Sequence, residues 1–196
     1  MARIGILALQ GAFLEHEQAF RSVGAETVEV RLPEQLEDLN GLVIPGGEST
    51  TMSLLMDSFG FREPIRRQVE RGMPVWGTCA GMIMLSRDVR DERVKSLELM
   101  DIQVDRNAFG RQVDSFETDL SVPVLGEKPF RAVFIRAPIV VRAGQGVEVL
   151  ARIPDGRIAA ARQGKLLATA FHPELTDDSR FHRLFLQMAN GIGDGR

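Results

Sequence analysis

The feature that most restricts how this chain can fold is a glycine-flanked cysteine between two apolar runs. Cys79, the only cysteine, lies in GTCAG at residues 77–81, directly after the apolar run 74–76 and directly before the apolar run 82–85. Glycines supply the backbone torsions that a sharp turn needs and let a substrate approach the thiol without meeting a Cβ. The pattern predicts a strand-to-helix turn that presents a thiol. A lone cysteine is otherwise often a small buried hydrophobe, and the flanking glycines favour the nucleophile.

The predicted helix after the cysteine begins with the amides of Ala80 and Gly81. The first N–H groups of a helix lack intrahelical partners, and the helix dipole adds partial positive charge there. Such groups stabilise a thiolate and, later, an oxyanion. Ala80 is therefore a predicted donor of an oxyanion hole.

An activated thiol needs a proton-transfer partner, and the chain offers three histidines. His172 follows the strand-like run 166–171, and the proline after it prevents the strand from continuing regularly. A histidine at the carboxyl end of such a strand is well placed for catalysis, and His172 is the predicted partner of Cys79. His16 and His182 lie in helical patterns. We expect His16 to be solvated or capping and His182 to lie at the surface.

Glu174 follows His172 by two residues, and residues i and i+2 of an extended backbone face the same side. Its carboxylate can accept a hydrogen bond from one imidazole nitrogen and so direct the other toward the thiol. An imidazolium beside Cys79 increases its thiolate fraction. These residues predict a Cys-His-Glu triad. The alternative for Glu174 is an acidic residue at the entry of the helix that follows residues 176–178.

A second glycine motif, PGGESTTM at residues 45–52, follows the strand-like run 41–44 and leads into a predicted helix. Paired glycines let backbone N–H groups turn toward a ligand and donate to developing negative charge. Gly47 is therefore the second predicted donor of the oxyanion hole. A tight turn with a Ser/Thr helix cap gives a similar pattern, so this motif carries weight only together with Cys79 and His172.

Short apolar runs alternate with amphipathic segments in the first half of the chain. The pattern predicts strands at 3–9, 27–30, 41–44 and 74–76 and helices at 14–23, 50–59 and 63–71. After residue 99 the strands follow one another more closely, before a last strand and a closing helix at 179–190. We therefore expect an α/β fold: a three-layer, mostly parallel sheet with helices on both faces and an antiparallel extension.

Composition limits the classes of function. A chain of 196 residues with 44% hydrophobic content can bury one core, and without a long linker we expect a single domain over residues 1–196. The net charge of −3 gives no basic field for nucleic acid. We expect no signal peptide and no membrane span, and a single cysteine suits the cytoplasm. One cysteine and three scattered histidines predict no metal site.

The motifs resemble the class I, triad-type glutamine amidotransferases, whose fold is flavodoxin-like. This likeness rests on residues 45–49, 77–81 and 172–174. A narrower likeness, to the glutaminase subunits of pyridoxal 5′-phosphate synthases, rests on LQGA at 9–12, RNAFGRQVDSFE at 106–117 and VFIRAP at 133–138. No position that carries the family's chemistry departs from its pattern, and Ala108, where relatives often have serine, is a conservative change.

The resemblance implies that the chain hydrolyses L-glutamine to L-glutamate and ammonia through a γ-glutamyl thioester on Cys79. It also implies which residues surround the amino-acid head of glutamine: Gly47, Glu48, Ser49, Arg106, Ile135 and Arg136. A zwitterion needs an anion for its ammonium and cations or amides for its carboxylate. Outside the family motifs, each of these arginines would be interpreted as an ordinary surface charge.

The resemblance implies a partner as well. Ammonia released into water becomes ammonium, which is not a nucleophile, so such a glutaminase needs a consumer beside it. The implied consumer is the synthase subunit, a (β/α)₈ barrel in a large hetero-oligomer. That subunit builds pyridoxal 5′-phosphate from ribose 5-phosphate (or ribulose 5-phosphate), glyceraldehyde 3-phosphate and the ammonia. Pyridoxal 5′-phosphate is then a product, and the glutaminase itself carries no cofactor.

Two other functions remain open at the level of sequence. The same triad could supply ammonia to a different acceptor, as in the glutaminase subunit of imidazole glycerol phosphate synthase, and residues 106–117 argue against this. The chain could also be a regulatory binding subunit that keeps the fold without turnover. The intact set of Cys79, His172 and Glu174 argues against that.

Overall fold

The computed structural model describes residues 1–106 and 115–191. The first half contains β1 (Arg3–Leu7), α1 (Phe13–Ser22), β2 (Glu26–Val30), β3 (Gly41–Ile44), α2 (Ser49–Ser58), α3 (Arg62–Glu70), β4 (Val75–Thr78) and α4 (Ala80–Leu85). The second half contains β5 (Ser86–Val89), β6 (Met100–Asp105), β7 (Ser115–Leu120), β8 (Phe130–Ile135), β9 (Ile139–Ala143), β10 (Glu148–Arg152), β11 (Ile158–Gln163), β12 (Leu166–Thr169) and α5 (Arg180–Ala189). Short 3₁₀ turns cover Pro33–Leu36, Pro123–Leu125 and Pro173–Leu175.

One large sheet carries its strands in the order β2-β1-β3-β4-β12-β11-β9-β6-β5, with β10 paired to β11. Neighbouring strands from β2 to β12 are parallel, whereas β12, β11, β9 and β6 are joined by antiparallel pairs. β7 and β8 form a separate antiparallel pair. The predicted fold class, a mostly parallel α/β sheet with an antiparallel extension, is confirmed.

Helices cover both faces of the parallel strands. Trp76 of β4 packs against His16 of α1 and Phe185 of α5, with ring centroids 5.4 and 5.7 Å apart. The next residue, Gly77, lies against Gly81 of α4. Because successive strand residues point to opposite faces, α1 and α5 lie on one face and α4 on the other. This burial on both sides explains why β3 and β4 are continuous apolar runs rather than alternating ones.

The predicted boundaries are close to the observed ones. The four predicted helices are found as α1, α2, α3 and α5, each with its start and its end displaced by one residue at most. β1 ends at Leu7 rather than at residue 9, and β4 extends to Thr78, where it still pairs with Thr169 of β12. Among the described residues, no helix is both long enough and apolar enough to cross a membrane.

Candidate active site

Four loops meet at one edge of the sheet. They follow β1, β3, β4 and β12, which are neighbours in the sheet, and they carry Gln10, Gly46, Cys79 and His172. Parallel strands present their carboxyl ends at the same edge, where α/β proteins bind ligands. The loops are in contact: a Cβ on Gly46 would meet the imidazole of His172 and lie 3.3 Å from the Cβ of Cys79.

The backbone of Cys79 has an uncommon conformation. Its φ is +49° and its ψ is −107°. Positive φ is rare for a residue with a side chain and marks a strained turn of the kind found at functional sites. We expected the neighbouring glycines to supply the special torsions, and this was wrong. Gly77 and Gly81 are needed for close packing instead, because a Cβ on either would collide with a backbone carbonyl, that of Gly81 or that of Ile44.

Hydrogen bonds tie the cysteine turn to the end of β12 and to the first turn of α4. The N–H of Cys79 donates to the carbonyl of Thr169 at the end of β12 over 2.8 Å, and the Cys79 carbonyl accepts from Ile83 over 3.3 Å. The residue is only 6% exposed. Its Sγ lies 3.9 Å from the carbonyl oxygen of Ile135. The thiol is thus held in a fixed position at the amino end of α4.

His172 and Glu174 are hydrogen-bonded, with Nδ1 and Oε1 2.7 Å apart. The contact is the predicted one, but the extended backbone assumed for it is wrong. His172 precedes the 3₁₀ turn Pro173–Leu175, and this turn brings Glu174 back onto the ring. The N–H of His172 donates to Val133 of β8 over 2.8 Å. The Glu174 side chain is fully buried, so it is not an exposed acid at a helix entry.

The surroundings of His172 keep its ring protonated. Burial lowers its pKa, but the hydrogen bonds to Cys79 and Glu174 outweigh burial and raise the pKa from 6.5 to about 10. Burial of Glu174 raises its pKa, but the neighbouring His16 and His172 outweigh burial and bring the pKa below its ordinary value. At neutral pH an imidazolium therefore lies between a carboxylate and the cysteine sulfur.

The Gly46–Gly47 turn is fastened to the loop after β1. The N–H of Ala12 donates to the Gly46 carbonyl over 3.1 Å, and the N–H of Glu48 donates to Oε1 of Gln10 over 3.0 Å. The Gln10 side chain also fills the space that a Cβ on Gly47 would need. Residues of the 9–12 motif therefore hold the second glycine motif in place.

A cavity of about 400 Å³ opens beside Cys79. Its lining residues are Gly47, Glu48, Ser49, Cys79, Ala80, Ile83, Arg106, Arg136 and Pro138. Of the predicted substrate-binding residues only Ile135 is absent from the lining, and it meets the sulfur through its carbonyl instead. Sequence reasoning did not single out Ile83 and Pro138. Pro138 lies within the 133–138 motif, and Ile83 is one helical turn beyond Cys79.

Glu48 forms the amino-terminal cap of α2. The alternative interpretation of this motif, a tight turn with a helix cap, had assigned the cap to a serine or threonine. Its carboxylate accepts from the N–H groups of Thr50 and Thr51 over 3.1 and 2.6 Å. Burial opposes ionisation, but these hydrogen bonds lower its pKa to about 2. Oε1 also lies 3.3 Å from Nη2 of Arg106. The cavity thus has a permanent anion and a cation at one end.

Arg106 is anchored by a residue that sequence reasoning missed. Its Nη1 lies 2.5 Å from Oδ2 of Asp91, and both side chains are largely buried, 15% and 12% exposed. Asp91 belongs to a charged run at residues 90–93, where nothing in the sequence distinguishes it from a solvated residue. Most of the 106–117 motif, residues 107–114, lies outside the described residues.

His16 and His182 are buried, so both expectations for them were wrong. They are 0% and 1% exposed, with His16 Nδ1 3.1 Å from His182 Nε2. α1 and α5 lie on the same face of the sheet, and their inward sides meet there. The helical spacing of Phe13, His16 and Phe20 was the available signal, since it aligns the histidine with aromatic residues. In the described part of the chain, no three His, Cys, Asp or Glu side chains form a metal-binding group.

Known proteins share this architecture. The model of the SNO glutamine amidotransferase family matches residues 6–190. Pyridoxal 5′-phosphate synthase subunit PdxT of Herpetosiphon aurantiacus is 62% identical over 186 residues, which cover 93% of this chain and 98% of that protein. The PdxT subunit of Pelotomaculum thermopropionicum is 60% identical over 185 residues, 94% of each chain. A crystal structure of a glutamine amidotransferase matches with a TM-score of 0.89 and 49% identity, covering 95% of this chain and 98% of that one. The chain therefore belongs to the SNO glutamine amidotransferase family.

Proposed function

We propose that this chain is the glutaminase subunit of a pyridoxal 5′-phosphate synthase. It hydrolyses L-glutamine through Cys79, His172 and Glu174 and delivers ammonia to a synthase subunit. The observation that carries the proposal is the 2.7 Å contact between His172 and Glu174 beside a cysteine turn at the mouth of a charged cavity. The names of the relatives, pyridoxal 5′-phosphate synthase subunit PdxT, support the assignment to this synthase.

The first half-reaction forms the thioester. The Cys79 sulfur attacks the side-chain carboxamide carbon of glutamine, and the carbonyl electrons move to oxygen as an oxyanion. His172 donates its ring proton to the amide nitrogen, the C–N bond breaks, and ammonia leaves. The high pKa of His172, about 10, means that this proton is present at neutral pH.

The second half-reaction regenerates the thiolate. Once the sulfur is acylated, its negative charge no longer raises the pKa of His172, so the ring becomes a better base. His172 takes a proton from water, the hydroxide attacks the thioester carbon, and collapse of the tetrahedral intermediate expels the Cys79 thiolate. Glutamate is released, and the imidazolium is restored. Glu174 keeps the ring oriented through both steps because it accepts from Nδ1.

Backbone amides are proposed to stabilise the oxyanion in both steps. Ala80 contributes the first N–H of α4, and Gly47 contributes the N–H of the second glycine motif. Both residues line the cavity beside Cys79. Amides that are fixed before the reaction need no reorganisation when charge develops on the substrate oxygen.

The charged end of the cavity suits the amino-acid head of glutamine. We assign Glu48 to its ammonium group, and Arg106 and Arg136 to its carboxylate, with Ser49 and the backbone at Gly47 and Ile135 completing the set. Glu48 is ionised over the whole physiological range, since its pKa is about 2. Arg106 is held in place by its contact with Asp91.

The proposed partner is a (β/α)₈-barrel synthase subunit that consumes the ammonia in a cytoplasmic hetero-oligomer. The test measures glutamate release and pyridoxal 5′-phosphate formation from glutamine, with the synthase subunit present or omitted. We expect both products with the pair and no pyridoxal 5′-phosphate from either subunit alone. Glutamate release that feeds only a different ammonia acceptor, such as an imidazole glycerol phosphate synthase, would refute the assignment to this synthase. The absence of glutamate release under every condition would refute the proposed glutaminase activity.

A further inference from the structure

A third polar side chain lies against the buried carboxylate of the triad. Nε2 of His16 is 3.3 Å from Oε2 of Glu174 and 3.2 Å from Oγ1 of Thr78. His16 and Glu174 have no exposed side-chain surface. Oε2 makes no hydrogen bond of ordinary geometry among the described residues. The ring of His16 therefore provides a nearby dipole for the oxygen that His172 leaves unused.

The contacts of His182 decide which nitrogen of His16 carries the proton. His16 Nδ1 and His182 Nε2 are 3.1 Å apart, and His182 Nδ1 has no partner among the described residues. If His16 donated from Nδ1, then His182 would have to keep a buried N–H without an acceptor. The lone pair on His16 Nε2 would also face the Glu174 carboxylate. Both are unfavourable, so the arrangement favours a proton on His16 Nε2.

Both rings of this pair are neutral. Burial lowers the pKa of His16 despite the opposing charge of Glu174, and burial together with His16 lowers the pKa of His182 to about 2. Because His16 is uncharged, it acts on Glu174 through an N–H dipole rather than through a positive charge. Edge contacts with Trp76, 5.4 Å between centroids for His16 and 5.0 Å for His182, hold the two rings in place.

We propose that His16 is a positioning residue for the triad: its Nε2–H fixes the Glu174 carboxylate so that the other oxygen accepts from His172. The role rests on the proposed glutaminase function, although the hydrogen-bond arrangement itself does not. A chain of polar contacts then runs from Cys79 through His172 and Glu174 to His16, and on to His182 at the back of the site. Groups at the rear of an active site commonly orient those in front.

The proposal has a consequence for proton affinity. The groups that face the His16–Glu174 contact are His172, His182, Thr78 and, on the same helix, Glu15. Loss of the Nε2–H leaves the Glu174 carboxylate free to rotate, which weakens the hydrogen bond that Oε1 accepts from Nδ1 of His172. Glu174 then supports the His172 imidazolium less, so the pKa of His172 falls.

A first test needs no turnover and so is independent of the proposed function. Nitrogen-15 NMR of the histidine rings in the full chain reports which ring nitrogen carries the proton. We expect His16 as the neutral Nε2–H tautomer at pH 7. A neutral Nδ1–H tautomer would place a lone pair against Glu174 and overturn the proposal.

A second test uses three variants of the full chain. His16→Leu removes the donor at similar volume, His16→Gln keeps an N–H near the position of Nε2, and Phe20→Leu loosens the same aromatic cluster without touching Glu174. Phe20 packs on His182 with centroids 4.8 Å apart, so it is a matched control for packing. The pKa of His172 is read by NMR, and kcat and KM for glutamine are measured with the synthase subunit present.

We expect His16→Leu to lower kcat about tenfold at nearly constant KM and to lower the pKa of His172 by roughly one unit, the size expected when a buried polar contact to a charged group is removed. His16→Gln restores most of both values, and Phe20→Leu leaves the pKa unchanged. An unchanged His172 pKa in His16→Leu, or an equal shift in Phe20→Leu, would assign His16 to packing alone.

Discussion

Nδ1 of His172 and Oε1 of Glu174 are 2.7 Å apart, because the 3₁₀ turn Pro173–Leu175 that begins directly after His172 brings the carboxylate back to the ring. The pair is therefore formed by local chain geometry, whereas its position over Cys79 depends on the parallel pairing of β4 with β12. The N–H of Cys79 adds a direct hydrogen bond to Thr169 at the end of that pairing. Substitutions in the pair should consequently alter chemistry without disturbing the sheet.

Cys79→Ala should abolish glutamine hydrolysis and leave the fold intact, because it removes the nucleophile and keeps the Cβ that the +49° φ already tolerates. We expect unchanged circular dichroism and retained binding to the synthase subunit. High concentrations of ammonium salts should restore pyridoxal 5′-phosphate formation by the complex. Glutamate release near the parent rate would remove Cys79 from its role, and failure of ammonium rescue would point to a structural defect.

The loss of activity should be larger in His172→Asn than in Glu174→Gln. Asparagine neither donates nor removes the catalytic proton, so activity should fall nearly as far as in Cys79→Ala. Glutamine keeps a side-chain oxygen near Nδ1, so a measurable fraction of the activity should remain. Steady-state glutamate release checks both variants. Equally complete loss would mean that Glu174 does more than orient the ring, and a parental rate for Glu174→Gln would mean that its carboxylate charge is dispensable.

The raised pKa of His172 predicts the alkaline limit of activity. Acylation needs the imidazolium, so kcat/KM should be maintained well above pH 6.5 and should fall as the pH rises through about 10. Glu174→Gln removes one of the groups that raise this pKa, so its alkaline limb should move to lower pH. The measurement is kcat/KM against pH with the stability of the protein monitored in parallel. A parental limb centred near pH 6.5 would show that the ring is unperturbed.

Sequence reasoning succeeded where the signal is local. The alternation of apolar runs and helical patterns predicted the sheet class, and the glycine motifs predicted the turns that carry Cys79 and Gly47. The turns lie where the glycines predict them, but Gly77 and Gly81 are needed for close packing against neighbouring backbone rather than for torsions of their own. The contact between His172 and Glu174 is also local, although the backbone that joins them is a 3₁₀ turn rather than a strand.

It failed where the environment of a side chain is set by distant elements. His16 and His182 are 166 residues apart and meet only because α1 and α5 share one face of the sheet. Asp91 likewise meets Arg106 through the pairing of β5 with β6, which precede these two residues. A polar residue in a helix or a charged run carries no mark of such a partner, so the sequence alone favours solvent exposure.

Arg106→Lys should raise KM for glutamine by about tenfold with a smaller effect on kcat, because lysine cannot hold both a carboxylate of the substrate and Asp91 through a planar fork. Arg131→Lys is the matched control. Arg131 also contacts two carboxylates, those of Glu117 and Asp119, but it lies on the exposed face of β8 and does not line the cavity. Steady-state kinetics of both variants checks this. Equal KM values for Arg106→Lys and the parent would exclude Arg106 from substrate binding.

The last prediction concerns the peptide between Gly46 and Gly47. Its carbonyl is held by the N–H of Ala12, so the Gly47 N–H, on the other side of the same peptide unit, is held as well. Rotation of this peptide costs that hydrogen bond but little steric energy, since both residues are glycines. We expect the free chain to hold the peptide with one oxyanion donor turned away and the synthase to select the active orientation.

Loss of one oxyanion donor typically lowers turnover by about a hundred- to a thousandfold, so the isolated chain should hydrolyse glutamine slowly and added synthase should raise kcat by a factor of that order. Cys79→Ala, which should still bind the synthase, provides the background in the same assay. The measurement is glutamate release against synthase concentration, which should saturate as the complex forms. If the isolated chain already turns over at the rate of the complex, then the oxyanion hole is preformed and the peptide does not control activity.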